Sequence, residues 1–322
     1  MRGLPVDIDL VYLYVNSRDE TWLSGRRQYA QDGINGVVRF RDNDELLFSL
    51  RSVETYAPWI RTVHIVTDSA VPEWLDTENR RLHIVRHEEI MPPEILPCYN
   101  SNVIESFISG IPGLSEVFLY ANDDTLFGNA VTPDFFFRDG KPVIRMWDTG
   151  FDPDRPNGLY EAAIANACRM TESRYGKDYR YMPWHNVDVY TKKWFDACRA
   201  EFRDEFARAS SCRLRTGTDI QRVIFQYYML AHDGCALKTY RHTSRFVTGA
   251  VYAAAGLFPA RLHDFFFCSI HDLVRSPVAR FLVSRKPRCM CINDSEDTTD
   301  EDIAGYQAYM RRLFPKKSGF EI

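Results

Sequence analysis

The chain has 322 residues, 45% hydrophobic and 14% aromatic, enough for a substantial core and unlike a disordered polymer. Its 40 basic and 44 acidic residues give a net charge of −4, which argues against wholesale nucleic-acid binding, so no nucleic-acid partner is expected. The start, MRGLPVDIDL, lacks the basic and apolar regions of a signal peptide. Of the eight cysteines only Cys289 and Cys291 lie close together, with no second pair at zinc spacing, so free thiols in a reducing cytoplasm are expected. The longest apolar stretch, Phe246 to Ala260, contains Thr248 and Gly249 and is too short to span a bilayer.

In chain order, Ile8 to Val15 is rich in β-branched and aromatic residues and predicts a central strand, broken by polar residues from Asn16. Trp22 to Ala30 predicts a helix, and Gly33 and Gly36 a loop. Leu46, Leu47, Leu50, Val53 and Ala57 follow helical spacing, with Asn43 or Asp44 as the cap and Pro58 as the stop. Thr62–Thr67 and Arg81–Arg86 predict two further strands. Asn102 to Gly110 predicts a helix and Val117 to Ala121 a fourth, buried strand. Strand–helix–strand alternation is the rhythm of a parallel sheet. The four strands end in Asn16, Asp68, His87-Glu88-Glu89 and Asp123-Asp124, which in parallel strands converge on one edge and describe a cleft.

The second half reads as more helical, with candidates at Leu159–Arg174, Lys192–Arg208, Asp219–Ala231 and Ile303–Phe314. Neither an internal repeat nor a low-complexity linker divides the chain. The expected architecture is therefore α/β, a mostly parallel Rossmann-like (GT-A-like) sheet with a helical second half. All of 1–322 would form one domain, sheet-rich over 1–145 and mainly helical over 146–322.

The sequence holds no Walker loop, no GxGxxG after the first strand, no HExxH and no GxSxG. Asp-x-Asp recurs at Asp7/Asp9, Asp42/Asp44, Asp152/Asp154 and Asp300/Asp302, too often to be specific. By residues alone, Asn122-Asp123-Asp124 has two readings. It can turn the chain, or set an amide and two carboxylates at a strand end for a metal-bound phosphate or a reacting hydroxyl.

Four segments together resemble the Stealth family: DIDLVYLYVN (Asp7–Asn16), RFRDNDELLFSLRSVETYAPWIRTVHIVTD (Arg39–Asp68), YNSNVIESFISGIPGLSEVFLYANDDTLFG (Tyr99–Gly128) and CINDSED (Cys291–Asp297), as its first to fourth regions. That family comprises sugar-1-phosphate transferases, including bacterial capsule polymerases and the catalytic subunit that begins the mannose-6-phosphate tag on lysosomal enzymes. The resemblance implies transfer of GlcNAc-1-phosphate or another hexose-1-phosphate from a UDP-sugar donor to a hydroxyl of a saccharide acceptor. UMP would leave and a phosphodiester form, in bacterial surface (capsular or exopolysaccharide) synthesis. The sheet-rich half would then hold the nucleotide sugar.

The resemblance also implies roles for residues. Asp123 and Asp124 would hold Mg²⁺ or orient the acceptor hydroxyl, and His185 would be the general base. Arg215 would fork onto phosphate oxygens, with Asp219 fixing it or capping the next helix. Asn122, Asp44, Glu45, Arg51, Asn100 and Ser101 are donor-binding candidates. Asn293 and Asp294 are candidates for sheet-end structure or closure of the site. Two departures stand out. Asn16 replaces the family's acidic residue after the first strand, so no metal role is carried onto it, and His185-Asn186-Val187-Asp188 replaces a His-x-Pro-x-Pro pattern. The competing readings are a metal-dependent glycosyltransferase releasing UDP and a non-catalytic saccharide-binding protein. The terminal helix, with Ile303, Tyr306, Met310 and Leu313 on one side, is expected to pack on the domain. Its alternative is a peripheral contact at the inner face of the membrane.

Overall fold

A computed structural model of the protein describes residues 7–30, 41–148, 151–241 and 264–322. The predicted loop around Gly33 and Gly36, Arg39 and Phe40, and the apolar stretch Phe246–Ala260 lie outside the described residues.

Strands β1 (Ile8–Leu13), β2 (Val63–Val66), β3 (Leu82–Val85) and β4 (Val117–Asn122) are mutually parallel in the order β3-β2-β1-β4. β1 and β4 are buried along all but their last residue, as central parallel strands covered on both faces must be. A two-residue turn, Asp123-Asp124, leads into β5 (Thr125–Phe127). β6 (Phe137–Arg138), β7 (Lys141–Asp148) and β8 (Met182–Pro183) follow, and β9 (Asp188–Thr191) then closes the main sheet antiparallel to β4. β10 (Ala236–Arg241) pairs in parallel with β7, while β11 (Phe265–Ser269) and β12 (Cys289–Asn293) pair in parallel and bring β12 back against β5. This is the expected α/β, mostly parallel Rossmann-like sheet with a GT-A-like antiparallel strand at its edge. The long helices fall mainly in the second half.

The helix Glu45–Tyr56 buries Leu46, Leu50 and Val53 against the main sheet and locks the turn after β4. Ser49 donates its hydroxyl to the Thr125 carbonyl at 2.5 Å, and the Phe127 amide donates to Ser52 Oγ at 2.9 Å. At the opposite end of the sheet, buried Asp9 accepts from Arg61 and the Ser115 amide and lies 3.2 Å from His64 Nε2. Burial alone would raise its pKa, but these partners hold it well below the carboxylate range, so Asp9 braces the sheet.

Several predicted boundaries shift. The helix expected over Lys192–Arg208 is two, Lys192–Glu201 and Arg203–Ala209, bent at Phe202 so that Phe202 and Phe206 both enter the core. The helix expected from Asp219 starts only at Val223, because the Asp219 carboxylate is taken by side chains rather than by capping. All of Val223–Met229 is buried, so this helix is enclosed rather than striped. The terminal helix, Asp300–Leu313, packs as expected: Tyr306 and Met310 are fully buried, and Tyr306 meets Phe48 edge-on at 6.0 Å. The face considered for a membrane contact is thus covered by protein. Among the described residues no helix is long and apolar enough to cross a membrane.

Candidate functional site

Four parallel strands send their carboxyl ends to one edge, the place where open α/β sheets bind ligands. β4 stops there at Asn122, and the turn that follows holds both aspartates in one cleft instead of on opposite strand faces. β12 fixes the second of them. Asn293 Nδ2 donates to Asp124 Oδ2 at 2.8 Å, the Cys291 thiol donates to the same oxygen at 3.4 Å, and the Ile292 amide donates to the Asp124 carbonyl at 3.0 Å.

Asp123 is different. Its carboxylate accepts only the Asp124 amide, at 3.1 Å, among the described residues. Burial first, then the charges of Asp124 and Asp42, push its carboxyl up to about 8. Glu45, buried behind it and accepting from the Asn43 amide at 2.5 Å, is also raised well above the usual range by burial and by the charge of Asp123. Asp42 is oriented by the Tyr14 hydroxyl at 2.7 Å. Four carboxyl groups thus converge with little compensating positive charge, and a bound cation would relieve this field.

His185 comes from the loop between β8 and β9. Its Nε2 accepts from Asn122 Nδ2 at 2.9 Å and lies 3.8 Å from Asp124 Oδ2, which leaves the proton of the neutral ring on Nδ1. The ring is wedged edge-on between Tyr160 at 6.4 Å and Phe267 at 6.3 Å. Asn122 is oriented from beneath, where the Tyr120 hydroxyl lies 3.2 Å from Asn122 Oδ1 and 3.0 Å from Glu105. Glu105 pairs with buried Arg222 at 3.4 Å, and Arg222 pairs with Asp188 at 2.9 Å.

A second group gathers Asn100, Ser101, Arg215 and Asp219. Buried Asp219 accepts from Asn100, Asn102 and Thr216, each at 3.0 Å. Asn100 caps the helix Ser101–Glu105 through the Asn102 amide at 3.1 Å, and Arg215 donates to Ser101 Oγ at 2.5 Å. Because Ser101 and Glu105 are the two ends of one helix, the second group is coupled to the Tyr120–Asn122–His185 chain.

Of three predicted donor-binding or closure residues, Arg51 and Asp44 are engaged by other groups, and Asp294 sits at the sheet end, one of its two expected places. Arg51 forks onto Glu321 at 2.9 and 2.7 Å and onto the Phe314 carbonyl at 2.9 Å, which leaves its donors no place for a diphosphate. Asp44 adopts a left-handed backbone (φ 70°), makes no capping bond with its side chain, and accepts from Gln307 at 3.0 Å. Asp294 accepts a two-pronged bond from Arg41 at 2.7 and 3.1 Å and ties the loop before the Glu45–Tyr56 helix to β12. Asn16 donates its side-chain amide to the Ala70 carbonyl at 3.1 Å and so ties the chain after β1 to the loop after β2. Sequence reasoning gives no site role to Asp42, Cys291, Glu105 or Arg222, although Asp42 stands in a recurring Asp-x-Asp pair and Cys291 and Glu105 stand within the segments that resemble the family.

One oxygen, nitrogen or sulfur atom each from Asp124, His185 and Cys291 lie within 4.8 Å of one another. Burial and the charge of Asp124 raise the Cys291 thiol well above its usual range, so it stays protonated and is a poor ligand for a soft ion. The remaining donors of that group are an Asp124 oxygen and a His185 ring nitrogen, and the neighbouring Asp123 and Asp42 carboxylates add the oxygen ligands that suit a hard divalent cation.

Residues 39–144 match the family described as Stealth protein CR2, conserved region 2, a span that includes both segments expected to be its second and third regions. The chain is 46% identical over 258 residues to the exopolysaccharide phosphotransferase cps2G of Lactiplantibacillus plantarum, covering 70% of this chain and 76% of that one. It is 30% identical over 334 positions to an exopolysaccharide phosphotransferase of Streptomyces coelicolor, covering 98% of this chain and 51% of that one. The capsular polysaccharide phosphotransferase SacB of Neisseria meningitidis serogroup A is 30% identical over 330 positions, 98% of this chain and 57% of that one. The chain therefore spans about half the length of the last two relatives. The solved structure of the galactosyltransferase LgtC with donor and acceptor sugar analogues covers 96% of either chain at 11% identity and a TM-score of 0.45, a loose likeness of chain path.

Proposed function

Because the chain belongs to the Stealth family of exopolysaccharide and capsular polysaccharide phosphotransferases, we propose that it transfers a sugar-1-phosphate from a UDP-sugar to a saccharide hydroxyl in bacterial surface polysaccharide synthesis. GlcNAc-1-phosphate or another hexose-1-phosphate is the group moved. The observation that carries this reading is the cluster of Asp123, Asp124, His185 and Asn293 at the carboxyl edge of the parallel sheet.

In this reading the acceptor oxygen attacks the phosphorus that bears the sugar. The bond from that phosphorus to the bridging oxygen breaks, and UMP leaves with the oxygen and its electron pair. The sugar's own C–O bond is untouched, so anomeric configuration is retained. His185 takes the acceptor's proton at Nε2, the unprotonated nitrogen, whose one lone pair now accepts from Asn122 and would pass to an incoming hydroxyl that displaces that amide. Arg215, beside Ser101, supplies planar donors for phosphate oxygens. Asp123 and Asp124 would hold Mg²⁺, which when bound offsets charge on the diphosphate. Asn100 and Ser101 border the donor sugar, and Asn293 holds Asp124 in place. The whole chain is read as one phosphotransferase domain, a reading supported by the return of β12 to β5. The eight free thiols favour a cytoplasmic site of action.

Incubating the protein with a panel of UDP-sugars and saccharide acceptors, with and without Mg²⁺, tests this. UMP and a phosphodiester product are expected. UDP with a glycosidic product would replace the reading with that of a glycosyltransferase, and binding without turnover would leave a saccharide-binding protein.

A further inference from the structure

Away from the catalytic edge, a cavity of about 460 Å³ opens where β7 and β10 approach β11 and β12. Its lining carries four basic side chains, Arg138, Arg145, Lys238 and Arg288, against two acids, Asp134 and Asp264. Asp264 is already shared: it accepts from Lys238 at 2.5 Å, from the Tyr240 hydroxyl at 2.6 Å and from Arg288 at 2.8 Å. Among the described residues Arg145, only 9% exposed, has no carboxylate partner of its own and shares the charge of Asp264, with Tyr240 beside it. Its terminal nitrogens donate to the Val143 and Phe135 carbonyls, and its Nε has no hydrogen-bond partner among the described residues. Burial lowers its pKa, the sign of a cation that lacks full compensation. Phe135 lies under both guanidinium groups, 3.7 Å from that of Arg145 and 5.5 Å from that of Arg288, and gives the cavity an apolar wall.

A buried, incompletely compensated guanidinium in a net-positive cavity with an aromatic wall fits a ligand that is anionic at one point and carries a carbon ring beside it. The cavity is connected to the reaction centre by β12. Arg288 precedes that strand and Asn293, which holds Asp124, ends it, five residues of extended chain or roughly 17 Å away.

We propose that this cavity is a second anion site that takes the phosphodiester of a saccharide, a unit of acceptor chain already bearing the linkage that the catalytic edge makes. The identity of the ligand as acceptor rests on the function proposed above, whereas the anion site itself does not. Its effect would be to favour acceptors that already contain product linkages over phosphate-free saccharides.

Calorimetric titration of the full chain tests it, with the methyl phosphodiester of GlcNAc-1-phosphate as probe and inorganic phosphate as the second arm. Arg288→Gln and, as an exposed position whose substitution spares the core, Arg138→Gln should each weaken diester binding by about tenfold. Asp124→Asn should leave that binding unchanged, and inorganic phosphate should bind at least about tenfold more weakly than the diester. The proposal is overturned by unchanged affinity in both arginine variants, by loss of binding in Asp124→Asn, by equal binding of inorganic phosphate, or by no diester binding at all. Wild-type UMP release separates the two claims. Release without diester binding removes only this site, and diester binding without release removes only the proposed reaction.

Discussion

Asn293 donates to Asp124 Oδ2 across 2.8 Å, a bond between residues 169 positions apart in the chain. It binds the end of β12 to the turn after β4 and leaves the second Asp124 oxygen to Thr125 at 3.4 Å and to the cleft. Partners that orient a metal-binding carboxylate typically matter by one to two orders of magnitude. Asn293→Ala should therefore lower UMP release about 10- to 100-fold while the protein stays folded. Asn293→Asp should be worse, because it sets a second negative charge against Asp124. Steady-state rates of the two variants, with circular dichroism as the folding control, decide this. Wild-type turnover in Asn293→Asp would show that the bond only shapes the sheet end.

Asp123 gives the site a pH signature. Its carboxyl is raised to about 8 by burial and by neighbouring Asp124 and Asp42. A cation must displace the proton, so divalent-ion affinity should rise with pH and level off above about 8. The stability effect has the opposite sign. Between the unfolded carboxyl pKa, near 4, and the folded one, the folded state holds a proton that the unfolded state has lost, so stability without cation falls as pH rises through that window. Asp123→Asn should remove this dependence, raising Tm more at pH 8 than at pH 5, and should abolish cation-induced stabilisation. Equal Tm gains at both pH values would contradict it.

Arg51 should behave as a strut. Its guanidinium is bound two-pronged to Glu321 and to the Phe314 carbonyl, with both charged side chains largely buried. Removing one partner of such a pair leaves the other uncompensated, typically at a cost of about 3–5 kcal/mol. Arg51→Ala should lower the free energy of unfolding, read from denaturant titration, by that order and leave the turnover of the remaining folded protein near wild type. A large rise in the UDP-sugar KM at unchanged stability would instead return Arg51 to the donor.

The contrast between Arg51 and Asp123 shows what the sequence could reveal. Strands β1 to β4 and their common edge were readable because central parallel strands are continuous apolar runs that stop at polar residues, and Asp123 and Asp124 stand at such a stop, whereas His185, in the loop between β8 and β9, was reached only through the family resemblance. Arg51 was misplaced because a helix start near acids looks the same whether its arginine faces a ligand or, as here, a residue 270 positions away. Asp42 carried no specific signal because its spacing recurs elsewhere, and only the fold sets its charge beside Asp123. The support beneath Asn122, from Tyr120 through Glu105 to Arg222, joins three segments and has no local pattern at all.

Arg215 and Asp219, adjacent in the chain and in one cluster, should separate by experiment. Asp219 is buried and accepts three side-chain bonds, Asn100 on one oxygen and Asn102 on the other, so Asp219→Asn sets a donor against the side-chain amide of one of them. Leaving such buried groups unsatisfied costs about 1–3 kcal/mol each, and the variant should lose Tm and activity together. Arg215 is half-buried, bonds only to Ser101 Oγ among the described residues and has no carboxylate partner there. Arg215→Lys keeps the charge but loses the planar fork, so Tm should hold while kcat/KM for the UDP-sugar falls roughly 10- to 100-fold. If kcat carries the loss, the fork acts on the transition state, and if KM carries it, on the bound donor. Equal kcat/KM in Arg215→Lys and wild type would mean that Arg215 merely holds Ser101, and the phosphate contact would have to be sought on another side chain.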